Sequence, residues 1–236
     1  MNDRPFVLVN VAMTADGKLD SYLRKGATIS SGQDKTRVDQ LRAKMDAILV
    51  GGKTLVQEDP KLTVRSSQSR MERVALGVDE NPAKVGIVTI ADIKHDGDFM
   101  SAGSARRLIY TTDCTTPEQA SVLEAYGAKV FFLGTDSVDL PKVMESLYQQ
   151  GIHSLLVEGG GTLIAELLKH DLVDELSIYI APRIYGGASS PTLADGPGFS
   201  KDIAPKLHLE SMDIIDSDGG ILLRYTVMHR KIRSKK

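Results

Sequence analysis

Short apolar runs, rich in β-branched residues, recur along this chain and alternate with segments of helical periodicity. Strands that are covered on both faces have this appearance, because neither face meets water. The runs predict six strands, at 6–11, 47–50, 85–90, 108–111, 129–133 and 154–157. Strands that alternate with helices predict a single α/β domain, with a mostly parallel sheet and helices on both of its faces.

Three intervening segments carry the start and stop signals of helices. In "SGQDKTRVDQLRAKM", Val38 and Leu41 have helical spacing and Ser31 can cap the first turn. "TPEQASVLEAYG" begins with Thr-Pro and ends at Gly127, and "DLPKVMESLYQQG" follows the same plan. The polar segment 64–84 shows neither signal, and we expect an irregular surface excursion there.

The end of the chain has a different pattern. Strands are predicted at 176–181, 207–215 and 221–228, and no helix separates the last two. "DSDGG" between them is a turn signal, so they should form an antiparallel hairpin at the sheet edge. The expected organisation is one domain over 1–229, followed by a basic, solvated tail over 230–236.

Composition narrows the class of protein. The 236 residues include 29 Lys and Arg against 31 Asp and Glu, which does not favour broad capture of nucleic acid or anionic membrane. The single Cys114 can form no intrachain disulfide, and the five histidines lack metal-ligand spacing. The apolar run near the N-terminus is too short for a membrane span. We therefore expect a cytoplasmic protein without a metal, a nucleic-acid partner or a membrane.

Two familiar nucleotide-binding motifs fail on one position each. "VGGKT" at 50–54 ends like a P-loop, but Ala47 stands where that motif requires glycine. The triplet Gly159–Gly161 lacks the Rossmann spacing, because Ile164 takes the place of the third glycine. Neither motif identifies the protein.

Three other stretches each place a glycine-rich or Asp-Gly turn after a strand: "NVAMTADGKLD", "AILVGGKTLVQEDPKLTVR" and "LLVEGGGTLIAELLKHDLVDELSIYIAPRIYGG". The carboxyl ends of parallel strands line the ligand crevice of an open sheet. Gly159–Gly161 precede a helix, whose free N–H groups can hold a phosphate. A plain tight turn remains the alternative for these glycines, and a hairpin-type turn is the alternative for Asp16-Gly17.

The motifs "NVAMTADGKLD", "TLVQEDPKLTVR" and "VEGGGTL" together resemble the pyrimidine reductases of riboflavin biosynthesis, in the right order from residue 5 to about 200. The resemblance implies a dihydrofolate-reductase-like fold, a homodimer and NADPH as hydride donor. The implied substrate is 2,5-diamino-6-ribosylamino-4(3H)-pyrimidinone 5′-phosphate, whose ribosyl group is reduced. A zinc deaminase half would need a P-C-x-x-C signature, which one cysteine cannot supply, so the stand-alone type is implied.

The resemblance also carries over site residues one by one. The implied cofactor contacts are Ala12, Thr54, Glu58, Thr89, Gly159, Gly160, Gly161 and Thr162. The implied substrate contacts are Arg42, Leu62, Arg65 and Glu158, and the two arginines can hold either the 5′-phosphate or the pyrimidine carbonyl. Asp59 can share the role of Glu58, and Thr89 can equally be an ordinary strand-end residue. Asn10 stands where the bifunctional bacterial enzymes have a lysine, so no amine chemistry is expected there.

The reaction needs a proton, because the glycosylamine ring must open to an imine before C1′ accepts hydride. Glu158 and Asp16 are the carboxyl groups that can assist by acid–base transfer. Asp16 can equally be structural, by accepting backbone hydrogen bonds within its turn. Two other functions stay open: a reductase of the deaminated pyrimidine or of another pteridine or pyrimidine, and a nucleotide-binding protein without activity.

Overall fold

One nine-stranded sheet forms the centre of the computed structural model, which describes residues 3–230. The predicted basic tail therefore lies outside the described residues, apart from Arg230. The strands are β1 Phe6–Thr14, β2 Ala47–Gly51, β3 Ala83–Ile87, β4 Arg107–Thr111, β5 Ala128–Phe132, β6 Ser154–Val157, β7 Glu175–Ala181, β8 Lys206–Ile214 and β9 Ile221–Met228. The helices are α1 Gly32–Lys44, α2 Ser67–Ala75, α3 Asp98–Ser101, α4 Pro117–Ala125, α5 Leu140–Gln149 and α6 Gly161–Lys169, with a π-helical turn at Thr54–Glu58.

The sheet has the strand order β5-β4-β3-β2-β6-β1-β7-β9-β8. All strands from β5 to β7 in that order pair in parallel, whereas β9 is antiparallel to both β7 and β8. The predicted mostly parallel sheet with a C-terminal antiparallel hairpin is thereby confirmed. Because β1 lies between β6 and β7 while β2 lies beyond β6, the chain switches direction of winding there, and the carboxyl ends of these strands are the expected ligand crevice.

Helices cover both faces of the sheet, as predicted. Alternate residues of β1 point to opposite sides, so Val7 and Val9 enter one core and Leu8 enters the other. The first core also contains the apolar faces of α5 and α6, and the second contains residues of α3, α4 and the π-helical turn. Within the described residues, no helix has the length and apolar character that crossing a membrane requires.

The caps expected for α1 and α4 are present. Ser31 accepts a hydrogen bond from the Asp34 N–H, and Thr116 forms a reciprocal capping box with Gln119. Asp139 caps α5 in the same way. These helix starts could be predicted because each depends on side chains that are close together in the sequence.

The prediction of an irregular segment over 64–84 is wrong in its middle, because Ser67–Ala75 form α2. The helix has no buried apolar stripe, since Met71 and Val74 are exposed. It is held instead by buried Arg73, whose guanidinium donates to the carbonyls of Ala43, Met45 and Asp79. A helix fixed by a charged residue produces no hydrophobic periodicity in the sequence.

Candidate active site

A cleft of 690 Å³ opens at the carboxyl ends of the central strands, and we call it the main cleft. A smaller cavity of 270 Å³ adjoins it and is called the side cavity. The two share the lining residues Ala12, Leu19, Ala27, Ser30 and Val38, so they are parts of one site. The site lies where the change in winding direction predicts a ligand.

The glycine loop Gly159–Gly161 forms one wall of the main cleft. It connects β6 to α6, and Gly159 has a φ of 121°, a conformation that side chains rarely adopt. Whereas α1, α2, α4 and α5 are capped by hydroxyl or carboxylate side chains, the N-cap residue of α6 is Gly160, which has no side chain to cap the helix. The first N–H groups of α6 are therefore available to an anion in the cleft.

The π-helical turn faces this loop from the end of β2. The Gly51 N–H donates to the Gly159 carbonyl at 3.0 Å, which holds the two strand ends together. A methyl group added at Gly160 would lie 3.5 Å from Thr54 Oγ1, so the Thr54 hydroxyl lies next to the glycine loop. Two motifs that are far apart in sequence thus form one continuous surface.

Glu58, at the end of the π-helical turn, also lines the main cleft. Burial raises the pKa of the Glu58 carboxyl, and the negative charge of Asp20 raises it further, while the Thr54 hydroxyl opposes the shift. Asp20 also lines the main cleft, and its carboxylate accepts hydrogen bonds from the N–H groups of Gly26 and Ala27. The protonated form of Glu58 is therefore favoured more than in water.

Arg42 and Glu158 form a two-pronged ion pair between α1 and the end of β6. Arg42 Nε donates to Glu158 Oε1 at 2.7 Å, and Nη2 donates to Oε2 at 2.6 Å. Arg42 Nη1 also donates to the Thr63 carbonyl at 3.0 Å. Because both carboxylate oxygens accept from its guanidinium, Arg42 has little freedom to hold another anion.

The side cavity is lined by Lys35 and Arg65 in addition to Arg42. Asp39 Oδ1 accepts from the Arg65 N–H at 2.6 Å and Asp39 Oδ2 accepts from the Ser66 N–H at 2.9 Å, so a carboxylate of α1 fixes the backbone of this turn. Arg65 and Lys35 provide positive charge in the side cavity, whose lining does not include the glycine loop.

Two of the predicted site residues, Asp16 and Leu62, line neither cavity. The Asp16 carboxylate accepts from Thr14 Oγ1 and from the N–H groups of Tyr185 and Gly186. The Thr14 hydroxyl is the largest cause that lowers the Asp16 pKa. Leu62 has a φ of 46°, and its side chain is 1% exposed within the core. The geometry favours the structural alternative for Asp16.

The other predicted site residues converge. Ala12, Thr89 and Thr162 line the main cleft together with the residues described above. Sequence reasoning missed several polar residues of the lining, among them Asp20, Lys35 and Lys53, and gave Asn10 no role. Asn10 left a usable signal, because it is a lone polar residue inside the apolar run of β1.

An open, mostly parallel sheet with a glycine-lined cleft at its strand ends defines an α/β protein of the nucleotide-binding class. The chain belongs to the family described as the RibD C-terminal domain, whose model matches residues 5–223. The named relatives of this family are reductases and riboflavin biosynthesis proteins, so the chain is an oxidoreductase of that family.

Two similar relatives are both named 2,5-diamino-6-ribosylamino-4(3H)-pyrimidinone 5′-phosphate reductase. The Archaeoglobus fulgidus protein is 36% identical over 94% of this chain and 99% of its own length. The Methanothermobacter thermautotrophicus protein is 35% identical over 95% of this chain and 99% of its own length. The family suggested by the three motifs is thereby confirmed.

A solved structure supports the fold. The crystal structure of a pyrimidine reductase-like protein from Corynebacterium diphtheriae matches with a TM-score of 0.81 and 22% identity, over 96% of this chain and 93% of that one. The predicted dihydrofolate-reductase-like architecture is confirmed.

Proposed function

We propose that this protein reduces the ribosyl group of 2,5-diamino-6-ribosylamino-4(3H)-pyrimidinone 5′-phosphate with NADPH, in the cytoplasm. The observation that carries the proposal is that the glycine loop before the uncapped helix α6 and a side cavity lined by Arg65 and Lys35 belong to one site. Such a site suits a dinucleotide beside a second phosphorylated ligand. The printed names of relatives that match almost the whole chain support the same substrate.

The main cleft fits the cofactor. The N–H groups at the start of α6 and the adjacent Gly160 suit a pyrophosphate, because the helix dipole opposes its charge. Thr54 and Thr162 offer hydroxyl groups beside it, and Lys53 offers positive charge for a further phosphate. A protonated Glu58 would add a hydrogen-bond donor instead of a repelling charge. When it is bound, NADPH supplies the hydride.

The side cavity fits the substrate's phosphate. Arg65 and Lys35 suit that group, while the Arg42–Glu158 pair presents fixed polar atoms to the pyrimidine ring. Ala12 belongs to both cavities and has a side chain small enough for close approach of two ligands. Holding the reacting atoms in this way can remove roughly 7–11 kcal/mol of an activation barrier in favourable cases.

The proposal is tested by following NADPH oxidation with the diamino substrate and with its deaminated form, and by repeating both with NADH. Faster turnover of the diamino form with NADPH supports the proposal as stated. Preference for the deaminated form would assign the enzyme to a pathway in which deamination comes before reduction. NADPH binding without turnover of either would favour another pyrimidine or pteridine substrate, or a protein without activity.

Asp16→Asn is expected to change turnover by no more than a few fold and to lower the melting temperature. The lowered pKa of Asp16 makes it a carboxylate at neutral pH, which accepts hydrogen bonds and holds no proton to donate. Steady-state kinetics and a thermal melt measure the two effects. A large loss of kcat with an unchanged melting temperature would instead assign Asp16 a part in the chemistry.

The exposed edge strand β8 supports the expected homodimer. The register of β8 against β9 shifts by one residue between Leu209 and Ser211. Because of this shift, four exposed apolar residues of β8 pair with alternate residues of β9 and therefore lie on one face of the sheet: Leu207, Leu209, Met212 and Ile214. Exposed apolar edge strands promote association. We propose that a second copy of the chain covers this face.

Met212→Glu is therefore expected to convert the dimer into a monomer, because it puts a charge into the covered apolar face. The measurement is molar mass by light scattering after gel filtration. Met71→Glu is the matched control, since Met71 on α2 is 60% exposed and Met212 is 66% exposed. A wild-type protein that is already monomeric would contradict the proposal, as would a Met212→Glu variant that remains a dimer.

A further inference from the structure

The Arg37 side chain on α1 makes three hydrogen bonds, one within its own helix and two with the sheet. Its Nε donates to Asp34 Oδ1 at 2.9 Å, and its Nη1 donates to Ser177 Oγ at 3.1 Å. Its Nη2 donates to Asn10 Oδ1 at 2.7 Å. Because Asn10 and Ser177 are register partners on β1 and β7, one guanidinium joins α1 to two adjacent strands.

The contact with Arg37 determines how the Asn10 amide is turned. A guanidinium has only donors, so the atom of Asn10 that faces it must be the carbonyl oxygen. The amide nitrogen Nδ2 therefore points the other way. Asn10 is 6% exposed, and the residue is part of the lining of the main cleft.

The Asn10 Nδ2 group has no acceptor among the described residues 3–230. It is also not enclosed by protein, because the fully buried side-chain atoms without a partner in those residues are Asp34 Oδ2, Arg107 Nε and Ser190 Oγ. A side chain that is more than nine-tenths buried thus keeps an unused donor directed at the cleft. Buried donors normally have partners, so this one indicates a ligand atom.

The neighbours of Asn10 indicate which ligand this is. Val9 of β1 is the register partner of Val157, the last residue of β6. Asn10 follows Val9 and Glu158 follows Val157, so the two residues come next on adjacent strands. Both residues line the main cleft, and both are held from α1 by an arginine, Arg37 for Asn10 and Arg42 for Glu158. The Asn10 donor therefore lies on the part of the cleft floor that Glu158 occupies.

We propose that Asn10 contacts the substrate, with its amide Nδ2 donating a hydrogen bond to an oxygen or unprotonated nitrogen of the pyrimidine compound. Arg37 is the positioning residue that keeps this amide from turning its oxygen to the cleft. This inference rests on the proposed function, because it assigns the donor to the substrate of that reaction.

The first test uses Asn10→Asp and Asn10→Ala. Asp keeps an oxygen for Arg37 but offers the cleft an acceptor, and Ala removes the group. Both variants should lower kcat/KM by on the order of 10- to 100-fold, as expected when a donor to a ligand is lost. They should weaken binding of the ribitylamino product, measured by calorimetry, and leave NADPH affinity, measured by fluorescence titration, unchanged. A weakened NADPH affinity with unchanged product binding would overturn the assignment to substrate.

The second test separates positioning by Arg37 from its structural part. Arg37→Met should lower both stability and kcat/KM, because it releases the Asn10 amide and also leaves the Asp34 carboxylate without its partner. Adding Asp34→Asn removes that stranded charge, so the double variant should regain melting temperature and keep the low kcat/KM. Asp34→Asn alone, which leaves Arg37 bonded to Asn10, is the control. Recovery of kcat/KM together with melting temperature would show that Arg37 is merely structural.

These outcomes are distinct from failure of the proposed function. If the wild-type enzyme turns over the substrate and Asn10→Asp and Asn10→Ala do so equally well, only this inference is overturned. If the wild-type protein neither turns over the substrate nor binds the product, both are overturned.

Discussion

Gly161→Ala is expected to destabilise the protein by roughly 3 kcal/mol or more and to abolish turnover, because the added methyl group meets backbone that cannot move aside. The new Cβ would overlap the Thr192 carbonyl oxygen and would lie 3.1 Å from Asp195 Oδ2. The segment that it strikes is itself tied to this position, since the Asp195 N–H donates to the Gly161 carbonyl at 3.2 Å. Relief therefore requires α6 and the 192–195 segment to separate, which displaces the N–H groups that line the cleft.

Gly160→Ala is the matched control for this effect. Its methyl group would meet only Thr54 Oγ1, at the ordinary contact distance of 3.5 Å, so the fold should tolerate it. The two variants are compared by urea unfolding and by fluorescence titration with NADPH. We expect the urea midpoint of Gly160→Ala to be near that of the wild type. The variant should bind NADPH less tightly, because the added methyl group narrows the space beside the glycine loop. Equal stability of the two variants would contradict the steric explanation.

Arg42→Met is expected to produce the second large effect, a fall of at least about 100-fold in kcat/KM, because small displacements of positioning groups have effects of that size. It leaves Glu158, whose side chain is 12% exposed, as a carboxylate without its guanidinium. Breaking a fully buried pair in this way costs about 3–5 kcal/mol. The Arg42 side chain is 17% exposed, so we expect roughly 2–4 kcal/mol here.

The partner variant distinguishes stability from activity. Arg42→Met combined with Glu158→Gln removes the stranded charge, so urea unfolding should show most of the lost stability restored. The kcat/KM of the double variant should stay low, because neither polar group can then orient the pyrimidine. Arg42→Lys keeps the positive charge but lacks the planar guanidinium that donates to both oxygens of Glu158. Its activity should therefore fall between those of the wild type and Arg42→Met. Recovery of activity in the double variant would show that the pair serves only the fold.

Most elements of the sheet could be predicted from sequence, because burial of a strand is recorded in its own residues. β6 and β9 have the predicted bounds, and β7 differs by one residue. α2 could not be predicted, since the bonds that hold it run from Arg73 to carbonyls of a distant segment. Its polar composition therefore looked like a surface loop.

The site could be predicted less completely than the sheet. The glycine loop and Thr54 belong to local motifs, and motif resemblance assigned both to the cofactor. The same resemblance assigned Leu62 to substrate, although its side chain lies in the core at a positive φ. The chemistry of the reaction suggested Asp16 for acid–base transfer, with a structural role as the alternative, and the N–H groups of 185 and 186 donate hydrogen bonds to its carboxylate. Contacts between distant segments decide such roles, and no local pattern reports them.

The sequence by itself determined the fold class, the family and the local motifs that contribute to the site, because these depend on hydrophobic periodicity and on short stretches of sequence. Only the tertiary structure decided what each charged group is free to do. It paired Arg42 with Glu158, left Arg65 and Lys35 facing the side cavity, and turned the Asn10 amide toward the cleft through Arg37. The physical reason is that the freedom of a charge or a donor depends on its partners, and here the partners come from strands and helices that are brought together only by folding.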